Sequence, residues 1–295
     1  MNQERLLMRF TNKYNFPSVI VNAVTTVNAK YSPGDADIST TQLIDAPLQK
    51  VLKERHADEI VVDISDMIWS FFGSIGHEIL NNIDTDEVIF KEERFYINVQ
   101  DWIISGQPDL YYKNGNNAKV LSDFKVSAKY AFKDGVKPEY VKQLNVYKYM
   151  LEQHSYPVDR LENIVIFRDA LAYEEKVQVF EVTRYKEAKI REYIEKRVRM
   201  HQIASEQLEE EVVVCTPFER WQDPSVYCVM KKGNVKQTGG SYALMSEAEA
   251  FMGSLKDKHP KNEYSVKEKP SIAKRCERYC TVSNFCLWWK KEKDK

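Results

Sequence analysis

The stretch WIISGQPDLYYKNGNNAKVLSDFKV, residues 102–126, decides the fold class of this chain. Apolar positions alternate over 102–112 and again over 119–126, the period of two that marks strands. Asn114-Gly115-Asn116-Asn117 between them is turn chemistry, so the two strands are antiparallel neighbours. The turn brings Asp109, late in one strand, toward Asp123 in the other. Lys125, two residues further on, projects from the same face as Asp123.

Outward from this hairpin, alternation at Val88, Phe90, Phe95 and Val99 predicts a preceding strand over 88–99. Met67, Ile68, Phe71, Phe72, Ile75, Ile79 and Leu80 recur at helical spacing, which predicts a helix over 65–83. Ser39 is placed to cap a helix running to about residue 55. A helix begins near Pro138, strands follow over 163–168 and 176–182, and a long charged helix covers 183–208. The order helix, three-strand meander, helix, strand implies a mixed α/β (α+β) core of αβββαβ type. Residues 1–64 read as a helical and irregular region packed on that core, and 65–216 as the core with its long following helix. Residues 217–269 read as a small inserted hairpin-plus-helix module, with a strand over 225–231 and a helix over 246–255, and 270–295 as a cysteine-rich tail.

Composition narrows the class without naming a function. Of 295 residues, 43% are hydrophobic and 29% charged, and the net charge is −1. This is ordinary for a soluble globular protein and gives no global electrostatic case for nucleic acid. A local case rests on the basic residues between Arg184 and Arg199. No segment approaches the roughly 18 apolar residues of a membrane span, and Met1-Asn2-Gln3-Glu4-Arg5 lacks the pattern of a signal peptide. The expectation is a cytoplasmic protein with no membrane partner, in a host cell's cytoplasm if viral. In that reducing setting the five cysteines read as thiols or metal ligands.

The residues around the hairpin carry chemistry. Phosphodiester hydrolysis needs neutralised phosphoryl oxygens and an activated water. Mg²⁺ does the first with one or two carboxylates plus waters, and Asp109 and Asp123 can supply them. An ammonium at Lys125 can orient the attacking water or deprotonate it. Gln143 and Tyr147, spaced i, i+4, share a helix face that could hold Lys125 and contact a DNA backbone. His77, on the upstream helix, offers an imidazole to the metal.

These motifs resemble the PD-(D/E)XK nuclease superfamily, specifically its RecB-like exonuclease branch, which includes CRISPR-associated and phage-encoded single-domain nucleases. The matching residues are Gly73/His77, Gly106/Asp109, Asp123/Lys125 and Gln143/Tyr147, and the likeness covers about residues 65–170. The resemblance implies Mg²⁺ or Mn²⁺ bound by His77, Asp109 and Asp123, with catalysis by Lys125 supported by Gln143 and Tyr147. It further implies exonucleolytic action on DNA with a free end, in recombination, repair or phage DNA processing, and a helicase or recombination partner. The alternative is a catalytically inactive DNA-binding or assembly subunit with the same fold.

Cys276, Cys280 and Cys286 cluster in the tail, a density of thiols that suggests metal ligation. Members of the resembled branch close a [4Fe–4S] cluster with a C-terminal cysteine triplet and one upstream cysteine. Here the first spacing is x3 rather than x2, and the upstream position is held by Asp45-Ala46-Pro47. Cys215, expected at the end of the long helix, is the favoured fourth ligand. Cys228 reads as buried apolar filling, and Zn²⁺ is the alternative occupant.

Overall fold

The computed structural model describes residues 9–29, 34–82, 85 and 87–293; residues 1–5 and 83, invoked above, lie outside them. The chain divides after Val213 into two compact units. The first runs β1 (Arg9–Thr11), α1 (Ser18–Ala29), β2 (Ile38–Ser39), α2 (Thr40–Ile44), α3 (Pro47–Arg55), β3 (Val61–Asp63), α4 (Ile64–Asn81), β4 (Val88–Lys91), β5 (Phe95–Val99), β6 (Trp102–Gly106), β7 (Leu110–Lys113), β8 (Lys119–Ser127), α5 (Pro138–Gln153), β9 (Arg160–Phe167), β10 (Val177–Val182) and α6 (Glu187–Glu206). The mixed α/β class expected from the sequence is what the chain adopts.

The predicted strands over 88–99 and 102–112 are each broken in the middle, and the breaks face one another. Lys91 pairs with Leu110 on one side and Phe95 with Gly106 on the other. The ribbon therefore bends at 92–94 and 107–109, and its halves enter two sheets, β10-β9-β8-β7-β4 and β2-β6-β5. Two local causes are visible. Pro108 has no N–H to give a ladder, and Glu92 adopts a left-handed φ of 46°. The Glu92 N–H then donates to the Asp109 carbonyl at 3.2 Å and ties the two breaks together.

Aromatic packing braces the corner from inside. Phe90 and Phe95, on either side of Glu92, have ring centroids 5.2 Å apart, and Phe90 lies 5.0 Å from Tyr111 on β7. Such pairs contribute about 0.5–1.5 kcal/mol each beyond the area they bury.

The hairpin turn forms between β7 and β8 as expected, with Leu110 opposite Ser122. Asn117, not Gly115, takes the left-handed position, at φ 60°. The Asn114 side chain accepts from the N–H groups of Asn116 and Ala118 at 3.1 and 3.0 Å, which fixes the loop without glycine's freedom. β8 and β9 then run parallel, with Asp123 opposite Asn163, joined by the crossover through α5 that parallel strands require.

The helix expected from Ser39 to about residue 55 is two helices. Ser39 does cap α2, with Gln42 completing a reciprocal capping box. Pro47 ends that run and opens α3 at its first turn, where a missing N–H is harmless. The end of α2 is anchored by α6. Arg197 Nε donates to the Leu43 carbonyl at 2.8 Å, its Nη2 donates to the Asp45 carbonyl, and His201 Nε2 donates to Leu43 O at 3.3 Å.

The second unit holds β11 (Gln222–Asp223), β12 (Val226–Lys231), β13 (Thr238–Tyr242), α7 (Met245–Lys258), β14 (Tyr264–Lys269), β15 (Ile272–Ala273), α8 (Lys274–Arg278) and α9 (Leu287–Lys293). Its three-stranded sheet has the order β13-β12-β14. β13 is the second arm of the expected hairpin, antiparallel to β12, although Gly239-Gly240 gives it no strand pattern of its own. Gly239, at φ 78°, also leaves the space that Phe251 fills, since a Cβ there would lie 2.6 Å from its ring. No described helix is long and apolar enough to cross a membrane.

His201 makes acid stability a test of this packing. Burial, then the Arg197 charge, lower its pKa to about 4 from a usual 6.5. Above pH 6.5 the group is neutral folded or unfolded. Below that only the unfolded chain takes up the proton, so stability is lost as pH falls from 6.5 to about 4. The loss is of order 3 kcal/mol. Urea unfolding at pH 7 and pH 4.5 measures it, and His201→Gln is expected to flatten this part of the profile.

Candidate active site

One cleft of about 820 Å³ in the first unit gathers His77, Asp109, Asp123, Lys125, Gln143 and Tyr147, the residues to which the sequence analysis gave metal-binding or catalytic roles. Each reaches it by a different element. Asp63 caps α4 through the Ser65 N–H, and the helix carries His77 to the corner. Asp109 occupies the break just before β7 rather than a strand, and its Oδ2 accepts from the Phe124 N–H at 2.7 Å. That bond joins the two aspartate-bearing segments directly.

Close packing brings α5 to the same place. A Cβ at Gly106 would lie 2.6 Å from Met150 Sδ and 3.0 Å from both Thr40 Oγ1 and Tyr147 Cδ1. Only glycine allows β6 to approach α2 and α5 this closely. Gln143 and Tyr147 do share a face, and the Gln143 amide donates to the Tyr147 hydroxyl at 3.1 Å. Gln143 does not hold Lys125, as the sequence suggested. Tyr140, nearly one turn earlier, does so instead, with the Lys125 ammonium 5.0 Å from its ring centroid.

Lys125 Nζ lies 2.5 Å from Asp123 Oδ2. The same oxygen accepts from Asn163 Nδ2 at 3.0 Å, and Asn163 is fully buried with its Oδ1 unpartnered. Asp123 is thus held by two donors while the lysine is pinned beside it. Burial works against the Lys125 charge, but Asp123 and Asp109 outweigh it and raise the pKa above the usual lysine value.

His77 Nδ1 lies 3.5 Å from Asp109 Oδ2. Among the described residues, ligand atoms of His77, Glu92 and Asp109 all fall within 4.8 Å of one another. The sequence reading named Asp123 as the third metal donor; Glu92 is the residue that joins His77 and Asp109 in this trio. Asp123 faces the same cleft but is engaged by Lys125 and Asn163. Glu92 escaped notice because Glu92-Glu93 resembles ordinary strand-surface charge. Its left-handed backbone has no glycine or asparagine to announce it.

The electrostatics are those of a site short of positive charge. Burial, then repulsion from Asp123, hold the Asp109 carboxyl well above the usual carboxylate range, against the pull of Lys125 and the Phe124 N–H. Burial, then Lys125, lower the His77 pKa, which leaves the imidazole neutral and its lone pair available. A divalent cation would relieve the first condition and use the second.

In the second unit Cys215 lies beyond α6, which ends at Glu206, and so does not terminate that helix. Arg220 returns it toward the tail. This guanidinium donates to the Cys215 carbonyl and lies 3.8 Å from the Trp288 ring centroid. The Arg275 N–H donates to Arg220 O at 3.0 Å, and the Cys280 N–H to Arg275 O at 2.8 Å. Burial pushes the Cys215 thiol up to about 12, with added repulsion from Glu219, Cys286, Cys280 and Cys276. Burial, then Cys280 and Cys286, push Cys276 to about 11. The four thiols therefore share one electrostatic neighbourhood. Cys228 stands apart, fully buried in β12 with its Sγ 3.5 Å from the Lys267 carbonyl.

No family model matches the chain, and no curated protein matches it. A solved structure described as "Crystal structure of SSO0001" is 16% identical, covering 62% of this chain and 87% of its own, with a TM-score of 0.47.

Proposed function

We propose that the first unit is a metal-dependent deoxyribonuclease of the PD-(D/E)XK type, acting on DNA with a free end. The observation that carries this reading is the juxtaposition in one cleft of the His77, Glu92 and Asp109 trio with the Asp123–Lys125 pair. The donor set fits Mg²⁺ or Mn²⁺. Carboxylates suit both ions, and an imidazole among them inclines the set toward Mn²⁺. Such an ion, when bound, supplies charge neutralisation at the phosphoryl oxygens and acidifies the attacking water.

The chain's own groups supply the rest. Lys125, kept cationic by Asp123 and Asp109, directs an ammonium at the water or at a non-bridging phosphoryl oxygen. Its raised pKa favours this donor role over that of general base. Asn163 and Tyr140 fix Asp123 and Lys125 in place. Water attacks phosphorus and loses a proton to solvent, the P–O bond to the leaving deoxyribose oxygen breaks, and that oxygen takes up a proton from solvent to leave as a hydroxyl. No covalent enzyme intermediate forms. Recombination, repair or phage DNA processing would use such an activity.

Incubation of the full chain with end-labelled single- and double-stranded DNA tests the reading. Cutting is expected with Mn²⁺ and with Mg²⁺, none with EDTA, and a loss of at least about 100-fold in Asp123→Ala and Lys125→Ala. Undiminished cutting by either variant, or none by the wild type under any metal, contradicts it.

The thiols of Cys215, Cys276, Cys280 and Cys286 are a soft donor set suited to iron–sulfur or zinc. We favour a [4Fe–4S] cluster with a structural role in the second unit, because a C-terminal cysteine triplet with one further cysteine is the arrangement of the resembled branch. Anaerobically purified protein is expected to carry iron, lost in Cys215→Ala and kept in Cys228→Ala. Stoichiometric zinc without iron refutes the assignment.

A further inference from the structure

The cleft contains a second cation with no carboxylate of its own. Arg94, half-buried just before β5, lines the same cleft as the trio. Its Nη2 donates to Gln107 Oε1 at 2.5 Å and its Nη1 approaches Ser105 Oγ at 3.5 Å. Both partners are neutral. No ion pair to Arg94 exists among the described residues.

The corner itself aims this guanidinium. Gln107 belongs to one break of the bent ribbon and Arg94 to the other, so their hydrogen bond spans the bend. Two of the five N–H groups of an arginine are directed at these neighbours, and three remain for a ligand. The hydroxyl-bearing residues Ser39, Thr40 and Thr41 share the cleft with Arg94. A half-buried arginine whose fork is fixed by neutral groups is suited to a phosphate, which it can grip bidentately.

We infer that Arg94 is the seat of a non-reacting phosphate of the bound strand. Lys125 attends the scissile group from Asp123 and Tyr140; Arg94 has different partners and takes a neighbouring phosphate. This inference rests on the nuclease reading for its substrate, but its binding can be measured without turnover. Contact with a non-reacting phosphate is equally strong before and at the transition state, so it governs affinity rather than kcat.

The test is equilibrium binding of a fluorescein-labelled single-stranded oligonucleotide by the full chain, with Ca²⁺ replacing Mn²⁺, across a series of salt concentrations. Arg94→Ala is expected to bind roughly 10- to 100-fold more weakly. Its slope of log affinity against log salt should be shallower by about 0.7. Under Mn²⁺ its kcat should stay within about threefold of wild type while KM rises. Oligonucleotides with one methylphosphonate at successive positions should reveal one non-scissile position to which wild type is sensitive and Arg94→Ala is not.

Unchanged affinity and salt slope in Arg94→Ala overturn the inference. So does a loss confined to kcat, which would place Arg94 on the scissile phosphate. If Arg94→Ala fails to fold, the wild-type methylphosphonate series decides, and the absence of a sensitive non-scissile position overturns it. Wild type that binds DNA in an Arg94-dependent way but never cuts would refute the nuclease reading and leave the phosphate seat standing.

Discussion

The bend at residues 92–94 and 107–109 is the constraint on which the site depends. A straight β4–β5 and β6–β7 ribbon would direct Glu92 and Asp109 according to strand alternation. The paired break, closed by the Glu92 N–H on the Asp109 carbonyl, instead points both at His77. It also sets Arg94 against Gln107 across the bend. Phe90, Phe95 and Tyr111 support it from the core, so a change at those rings would be felt in the cleft. Left-handed backbone at a non-glycine residue costs of order 1 kcal/mol and persists where surrounding structure holds it. Here the holding groups and the candidate ligands are the same few residues.

Charge explains why these groups tolerate one another. Asp109 and Asp123 repel, burial raises the penalty, and the Lys125 ammonium paired with Asp123 does not offset it at Asp109. A cation bound there would relieve this repulsion. Asp123 is held by Lys125 and Asn163 on one oxygen, which separates its role from that of the trio. The site thus divides into the His77, Glu92 and Asp109 trio at the corner and a lysine-centred part on β8 and α5. Arg94 forms a third part on the outer arm of the bend.

Much of this was legible in the sequence, and the omissions have physical reasons. Alternation over 102–112 and 119–126, with asparagine-rich turn chemistry between, gave the hairpin and the meeting of Asp109 with Asp123. Ser39 and Gln42 gave a helix start, because a capping box is written in adjacent residues. The bend was not legible, since Pro108 marks only one of its two arms and Glu92 carries no left-handed signature. Glu92, Arg94 and Asn163 were therefore missed as site residues. Each owes its place to a tertiary contact rather than to a local motif. β13 was implied as the second arm of a hairpin but not placed, because its glycines, one of them packed against Phe251, obscure the strand pattern. The tail thiols were legible as a group, whereas the return of Cys215 depends on Arg220, a contact that no spacing predicts.

The central claim is that the corner at 92–94 and 107–109 exists to assemble a divalent-cation site. Anomalous X-ray diffraction from crystals of the full chain equilibrated with Mn²⁺ measures this directly. The account predicts a manganese peak in the cleft within bonding distance of His77 and Asp109, with Glu92 or Asp123 completing the protein donors. A cleft without manganese, or an ion bound there without His77 and Asp109, would contradict it.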